Sequence, residues 1–503
     1  MGKTVTVLLV NPDEKTKSPK YPVGLMNIGA YLEKNNRCKV WISDYSRKNG
    51  GWKLDSAPDI IGVSIMYNGT YQEGRKLIAF LRKKYPDAII VAGGHLAAAR
   101  AEELLLSTPE LNAVCYGEGE IPMAALVSSP SKYYYLETSP NWITRINEFL
   151  PVNALIENLD DIPPYDLSML KHPEEYLNAN DDVFSLGTVT GEKDIPLFAT
   201  RGCPNHCTFC ASQFVHGHKV RRYSNARIKK DIIYYCQEYG MRSFPFLDDD
   251  FLADKEKALD ILDFLYNHGR YSRIFNLQYN NLDRTIIQAL KRTGSDRVLI
   301  TMDGLDEAFL RKVVRKPANF KKAKEVIGIC REEKLTVISN IIIGFPGETK
   351  ESISAGVANM LNMGANWYAI LVANPFHGSE LYETCKREGY LVGDGVDYHS
   401  AVIKTPEFDP KWIKWKAYEI NLRLNFVENY DMRHGDYVTP LGMFERVIRD
   451  VAPNHAFSYY YAAICAWRLR DYERYLEYMV MFGELKETKE WKSWVEHFNL
   501  EEV

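Results

Sequence analysis

The sequence of 503 residues predicts an α/β protein in three parts: a doubly wound, Rossmann-like parallel sheet, then a partial (β/α)6 barrel, then a C-terminal helical domain. Three observations carry this. Over the first 130 residues short β-rich runs alternate with amphipathic stretches; the alternation returns from Ile195; and beyond about residue 386 the pattern is helical and dense in Tyr and Trp. Strand–helix alternation of this kind belongs to parallel sheets covered by helices. The parts are read as 1–130, a connector at 131–190, 191–385 and 386–503. A composition of 46% hydrophobic and 25% charged residues is enough to fill their cores.

In the first part the expected strands are Val5–Val10, Val40–Ser43, Ile60–Ser64, Ala88–Val91 and Ala113–Tyr116, with helices at Leu25–Lys34 and Gln72–Lys84. Open parallel sheets bind ligands beyond the carboxyl ends of their strands. Those ends carry Asn11-Pro12, Asp44, Ser64, Gly93-Gly94-His95 and Gly117-Glu118-Gly119-Glu120, so a cofactor is expected there. The connector is rich in Pro, Asp, Tyr and Ser, as in Leu159-Asp160-Asp161-Ile162-Pro163-Pro164, and lacks a sustained period. Long structureless stretches inside one domain are uncommon, so it reads as a segment wrapping two domains.

The barrel strands are expected at Pro196–Ala199, Ser243–Leu247, Ile274–Gln278, Arg297–Thr301, Thr336–Ile343 and Trp367–Leu371. Helices fill the gaps at Ile228–Tyr239, Lys255–Asn267 and Phe320–Glu332. Barrel chemistry sits at strand carboxyl ends. In the tail, Tyr459, Tyr460, Tyr461, Trp467, Tyr472, Tyr475 and Tyr478 read as core packing rather than as a lid.

A net charge of −4 gives no global nucleic-acid signature. The basic pairs Arg221-Arg222, Arg315-Lys316 and Lys321-Lys322 read as solvated faces. No run approaches the roughly 18 apolar residues of a membrane span, and Val5–Val10 is too short for a signal-peptide core. A cytoplasmic protein is expected.

Nine cysteines are present. Cys38, Cys115, Cys236, Cys330, Cys385 and Cys465 are isolated and read as small buried apolar residues. An odd total without a regular framework points to reduced thiols and one metal site. That site is Cys203, Cys207 and Cys210, spaced C-x3-C-x2-C on the loop after the first barrel strand. Zinc would want four protein ligands. Three close thiolates suit a 4Fe–4S cluster with one iron left open to a small molecule. The competing arrangement is zinc completed by His206, His216 or His218; His216 and His218 otherwise read as ordinary loop residues.

This loop, with Phe209 before its third cysteine, resembles the signature of the radical S-adenosylmethionine (SAM) superfamily. Phe246-Leu247-Asp248-Asp249-Asp250-Phe251 resembles the acidic segment after the second strand. Ile343-Gly344-Phe345-Pro346-Gly347-Glu348-Thr349 and Asn374-Pro375-Phe376-His377-Gly378-Ser379 resemble segments of the subclass with an N-terminal cobalamin-type domain. The resemblance implies that SAM chelates the open iron and is cleaved reductively to a 5′-deoxyadenosyl radical. It assigns Phe209, Arg222, Asp248, Asp249, Asp250, Asp303, Gly344 and Gly347 to SAM. Met302-Asp303-Gly304 departs from the Glu-Ser usual in the family, which shortens the reach of the polar contact there.

Cobalamin-binding sheets carry D-x-H-x-x-G, then S-x-L, then a G-G pair. Here Ser64-Ile65-Met66 is followed after 26 residues by Gly93-Gly94, whereas Asp44-Tyr45-Ser46 puts Ser46 at the place of the cobalt-ligating histidine. Related methylases hold cobalamin without that ligand, so cobalamin remains the expected cofactor. Its contacts are assigned to Asn11, Ser64, Met66, Gly93, Gly94, His95, Gly117 and Glu118. Methylthiotransferases need three N-terminal cysteines for a second cluster, and only Cys38 and Cys115 precede the loop.

The resulting expectation is a cobalamin-dependent methylase acting on an unactivated carbon of a small-molecule or peptide substrate, reduced by a system such as flavodoxin or ferredoxin. The rivals are a cyclase or rearrangement enzyme of the same subclass and a non-catalytic cobalamin or cluster sensor.

Overall fold

A computed structural model describes residues 4–13, 21–147, 149–177, 192–393 and 400–500. They fall into two units: the first holds the described residues up to Ile274 together with 374–393, the second Phe275–Ala373 and 400–500. The segment 191–385 is thus shared between the units, and the end of the expected connector, 178–190, lies outside the described residues.

The first unit opens with β1 (Val5–Asn11), α1 (Val23–Asn35), β2 (Cys38–Asp44), β3 (Ile60–Ser64), α2 (Asn68–Lys84), β4 (Ile89–Gly93), α3 (His95–Ala99), α4 (Ala101–Ser107), β5 (Ala113–Cys115) and α5 (Glu120–Ser128). The strands run almost wholly apolar because helices cover both sheet faces. Val10, Ile61, Val63, Ile90 and Val114 form the centre of one buried cluster. The sheet order is β2-β1-β3-β4-β5, all parallel, with the order reversing between β1 and β3. The start of the expected connector joins this sheet: after α6 (Lys132–Thr138), β6 (Trp142–Ile143) adds an antiparallel edge to β5. Trp142 is fully buried, which anchors so short a strand.

The same unit then carries β7 (Thr200–Arg201), α7 (Ser212–His216), β8 (Arg221–Arg222), α8 (Asn225–Tyr239), β9 (Ser243–Phe246), α9 (Lys255–Asn267) and β10 (Tyr271–Ile274). The first expected barrel strand is reduced to parallel bridges from Asp194 to Ser243 and from Leu197 to Phe246, while β9 and β10 pair fully in parallel. The helix α8 starts at Ser224, whose Oγ accepts from Arg227 N, and stops at Gly240 with φ +68°.

In the second unit α10 (Arg284–Arg292), β11 (Arg297–Thr301), α11 (Glu307–Phe309), α12 (Phe320–Glu332), β12 (Thr336–Ile343), α13 (Lys350–Leu361) and β13 (Trp367–Val372) follow in order. The parallel sheet β11-β12-β13 is extended by a bridge from Leu277 to Ile300. Helices from Pro410 to His497 pack an aromatic core that includes Phe426, Phe444, Phe457, Tyr460, Tyr461 and Trp491. Among the described residues no helix is long and apolar enough to cross a membrane.

Candidate active site

The carboxyl ends of β1, β3, β4 and β5 and the cysteine loop wall one cavity of about 1390 Å³ within the first unit. All eight residues assigned to cobalamin from the sequence line it: Asn11, Ser64, Met66, Gly93, Gly94, His95, Gly117 and Glu118. From the cysteine loop it takes Phe209, Cys210 and Ser212, and from the segment after β9 it takes Leu247 and Asp249.

Two tight glycine turns at the edge of the cavity pack their backbone directly against the protein, so the cavity wall there is bare main chain. Gly94 has φ +101°, and a Cβ there would lie 2.8 Å from Ile65 O and 2.8 Å from Met66 Sδ. A Cβ on Gly117 (φ +79°) would run into Asn153, 2.1 Å from its Cγ. His95 Nε2 is buried without a hydrogen bond, and burial lowers the imidazole pKa, so it offers a neutral polar group at the end of β4. These features fit a corrinoid.

Ser46 does not line this cavity. Its Oγ donates to Asp44 Oδ1 at 2.6 Å, Asn11 Nδ2 donates to the same oxygen at 3.0 Å, and the Tyr176 hydroxyl donates to Oδ2. Where the sequence motif would set a ligating histidine, a closed hydrogen-bond network holds Asp44 instead.

The cysteine loop leaves β7 at Gly202, where φ is +93° and a Cβ would lie 2.4 Å from Lys219 O. Cys203, Cys207 and Cys210 are all half-buried. Cys210 N donates to Cys207 O at 3.1 Å and Asn205 Nδ2 to Cys203 Sγ at 3.6 Å. Asp249 braces both ends of the loop, accepting from Gly202 N at 2.9 Å and from Ser212 Oγ at 2.5 Å. Leu381 N donates to Thr208 O at 2.8 Å and fixes its middle. Three thiols on one tightly held turn suit a cluster. The histidines of the zinc alternative are otherwise engaged: His206 stacks on His218 with ring centroids 3.9 Å apart, and His216 bonds to Glu118. Among the described residues no three His, Cys, Asp or Glu side chains close around a single metal ion.

The acidic segment separates into different roles. Asp248 is turned inward, accepting from Ala199 N at 2.9 Å, from Thr200 Oγ1 at 2.6 Å and from Thr200 N. Burial pushes its pKa up to about 7 against these donors. This carboxylate positions the strand before the cysteine loop rather than facing the cavity, and Asp249 is the member that lines it. Asp250 is buried at the start of a short 3₁₀ turn. Arg222 is half-buried, donates to Phe251 O at 3.3 Å and keeps Nε and Nη2 without hydrogen bonds.

Asp303, Gly344 and Gly347 belong to the second unit. Asp303 (φ +60°) pairs with Lys316 and accepts from Asn340 Nδ2 at 2.6 Å. Glu348 accepts from Gly344 N at 2.7 Å and Phe345 N at 2.8 Å and closes that turn on itself; burial raises its pKa to about 7.

Two expectations are corrected. Arg221 is no solvated base: it is 3% exposed and grips Glu118 with Nη1 at 2.9 Å and Nη2 at 2.6 Å. Lys316 is likewise buried, against Asp303. A desolvated guanidinium needs a counter-charge, and Glu118 supplies it. Glu118 also takes His216 Nδ1 at 2.8 Å and Arg201 Nη1 at 3.4 Å, while Arg201 Nη2 donates to Glu120 at 2.7 Å. Burial alone would raise the Glu118 pKa, but Arg221, His216 and Arg201 together hold it far below the usual carboxylate range. Sequence reasoning passed over Arg201, read Arg221 as solvated and His216 as an ordinary loop residue or zinc ligand, and gave Glu120 no partner. The alternating acids of Gly117-Glu118-Gly119-Glu120 and the arginine directly before Gly202-Cys203 were the available signal.

The family described as "Radical SAM superfamily" matches residues 197–355, and "B12 binding domain" matches residues 14–127. An uncharacterized methyltransferase of Pyrococcus horikoshii is 24% identical over 330 residues, covering 65% of this chain and 69% of its own. The cytidylyl-2-hydroxyethylphosphonate methyltransferase of Streptomyces wedmorensis is 23% identical over 423 residues, 76% of this chain and 77% of its own. In fold the chain resembles TsrM of Kitasatospora setae, a radical SAM methyltransferase solved with cobalamin and a [4Fe-4S] cluster, with a TM-score of 0.64 and 16% identity over 95% of this chain and 99% of that one. With both domains matched in order on one chain, and with the thiol loop and the glycine-lined sheet ends sharing one cavity, the protein belongs to the radical SAM enzymes that carry a B12-binding domain, and its cofactors are a 4Fe–4S cluster, SAM and cobalamin.

Proposed function

We propose that this enzyme is a methyltransferase that places a methyl group on an unactivated carbon of its substrate. The observation that carries the reading is the shared cavity, lined on one side by the ends of β1, β3, β4 and β5 and on the other by Phe209, Cys210 and Ser212. The names of the Pyrococcus and Streptomyces relatives point the same way. When bound, the cluster supplies the electron that cleaves SAM to a 5′-deoxyadenosyl radical, and cobalamin carries the methyl group.

The chain's own residues bind, orient and exclude water. Cys203, Cys207 and Cys210 would hold the cluster. Phe209 and Asp249, which line the cavity, would contact SAM, and the family resemblance adds Asp250 and Arg222; it also assigns to SAM Asp303, Gly344 and Gly347, which are described within the second unit. Asn11, Ser64, Met66, Gly93, Gly94, His95 and Gly117, which line the cavity, would cradle the corrinoid. Phe198, Leu247, Met123 and Phe376 give the cavity apolar walls that keep water from a reactive radical. In this reading 1–130 is the cobalamin domain, 191–385 the SAM and cluster domain, and 386–503 a helical domain.

The test is product analysis on anaerobically purified protein from cobalamin-fed cells. Near-stoichiometric corrinoid, with both S-adenosylhomocysteine and 5′-deoxyadenosine formed on reduction with SAM, is the expected result. 5′-Deoxyadenosine without S-adenosylhomocysteine would transfer the protein to the cyclase or rearrangement class. Neither product would make it a sensor.

A further inference from the structure

Arg201 and Arg221 are register partners on the antiparallel pair β7–β8, so two buried cations stand side by side at the root of the cysteine loop. Like charges directly opposite each other destabilise a strand pair. The neutralising charge comes from the far end of the chain's first sheet: Glu118 and Glu120, both 3% exposed, at the carboxyl end of β5. Glu118 holds Arg221 bidentately, takes His216 from the end of α7, and approaches Arg201, which in turn bonds Glu120. Arg201 lies two residues before Cys203 and His216 six residues after Cys210. Both flanks of the cysteine loop are therefore bonded to the same four-residue turn, and Gly117, Glu118 and Gly119 of that turn also line the cavity where the corrinoid is assigned. Bidentate guanidinium–carboxylate pairs fix orientation as well as distance.

We propose that Glu118, with Arg201, Arg221, His216 and Glu120, is a positioning clamp that fixes the cluster loop at a set distance and orientation from the corrinoid-binding face. Although the sequence places Glu118 among the corrinoid contacts, both its carboxylate oxygens are taken up by Arg221, His216 and Arg201, so it acts through the loop and not on the corrinoid. The clamp rests on the cobalamin reading for what it positions, but its existence as a mechanical link does not.

Two readouts keep these apart. In the holoenzyme with reduced cluster and Co(II), magnetic coupling between the two centres reports their separation. Arg221→Lys, which keeps the charge but loses the fork, and Glu118→Gln are expected to retain iron and corrinoid while the coupling shifts. Hydrogen–deuterium exchange on the protein without corrinoid gives the second readout. There the variants are expected to exchange about tenfold or more faster in both 113–120 and 200–222 together, whereas Lys219→Gln, which breaks only an exposed pair with Glu157 on the same loop, leaves both unchanged. If Glu118→Gln fails to fold, Glu120→Gln, which removes one bond from Arg201, replaces it. An unchanged coupling in loaded variants, or faster exchange confined to one segment, would overturn the clamp. Protein that takes up no corrinoid, yet shows joint loosening of the two segments, would sink the methyltransferase reading and leave the clamp standing.

Discussion

Glu348 and Asp249 show how burial and bonding set what a carboxylate does. Glu348 is buried and its pKa is raised from 4.5 to about 7 by desolvation, against two backbone N–H donors. A carboxyl raised on folding contributes stability that is fully present below its unfolded pKa and is lost as pH rises through the folded one. The second unit is therefore expected to lose about 3 kcal/mol between pH 4.5 and 7 from this group. Thermal melts of wild type and Glu348→Gln across that window check it, the variant showing the flatter profile. Asp249 is tied to Gly202 N and Ser212 Oγ. Its replacement by Ala leaves both ends of the cysteine loop loose, at about 1–3 kcal/mol for each unmade bond. A tenfold or greater fall in 5′-deoxyadenosine formation, with iron per chain also reduced, is the expected outcome. The Asp248-Asp249-Asp250 run was legible as a functional segment, but which member faces the cavity was not. That is set by where Thr200 and Gly202 pass, some 47 residues earlier in the chain.

At the scale of elements, hydrophobic periodicity placed most strands well. β3, β11 and β12 have the expected bounds, and α9 and α12 likewise. Several ends shifted by one to four residues, and two strands departed further. The strand expected at Ile274–Gln278 sits at Tyr271–Ile274, because pairing with β9 runs from Ser243 to Phe246 and fixes the register. The strand expected at Pro196–Ala199 makes isolated bridges, since its backbone donors at Ala199 and Thr200 turn to Asp248. Tight turns decide the sheet ends. Gly94→Ala forces a side chain into φ +101° and onto Ile65 O, a conflict of about 1–3 kcal/mol. Corrinoid per chain is expected to fall at least tenfold in this variant while the cluster still assembles, measured by iron and cobalt analysis of the same sample.

Across the molecule, the described residues sort into two units whose border does not follow the order of domains along the chain. The first contains the sheet, the cysteine loop and the cavity they share; the second contains β11 to β13 and the aromatic helical core. Replacing Cys203, Cys207 and Cys210 together by Ala is expected to abolish cluster binding and 5′-deoxyadenosine formation and to leave corrinoid binding near the wild-type level. Iron, cobalt and nucleoside analyses on one preparation check this. Loss of corrinoid together with iron would mean that cluster assembly is needed to form the cobalamin cradle.

The sequence by itself determined the class of chemistry, because the C-x3-C-x2-C loop and the Ser64, Gly93-Gly94 spacing are local, and each needs only a strand followed by a turn to take effect. It determined most strands and helices for the same reason: periods of 2 and 3.6 residues are written in neighbouring side chains. Tertiary structure alone decided which charges are paired. Arg221 reads as a solvated base in the sequence and is a buried one in the fold, because its counter-charge, Glu118, stands 103 residues away. A buried charge is tolerated only where the fold brings its partner into contact, and local pattern carries no record of that distance.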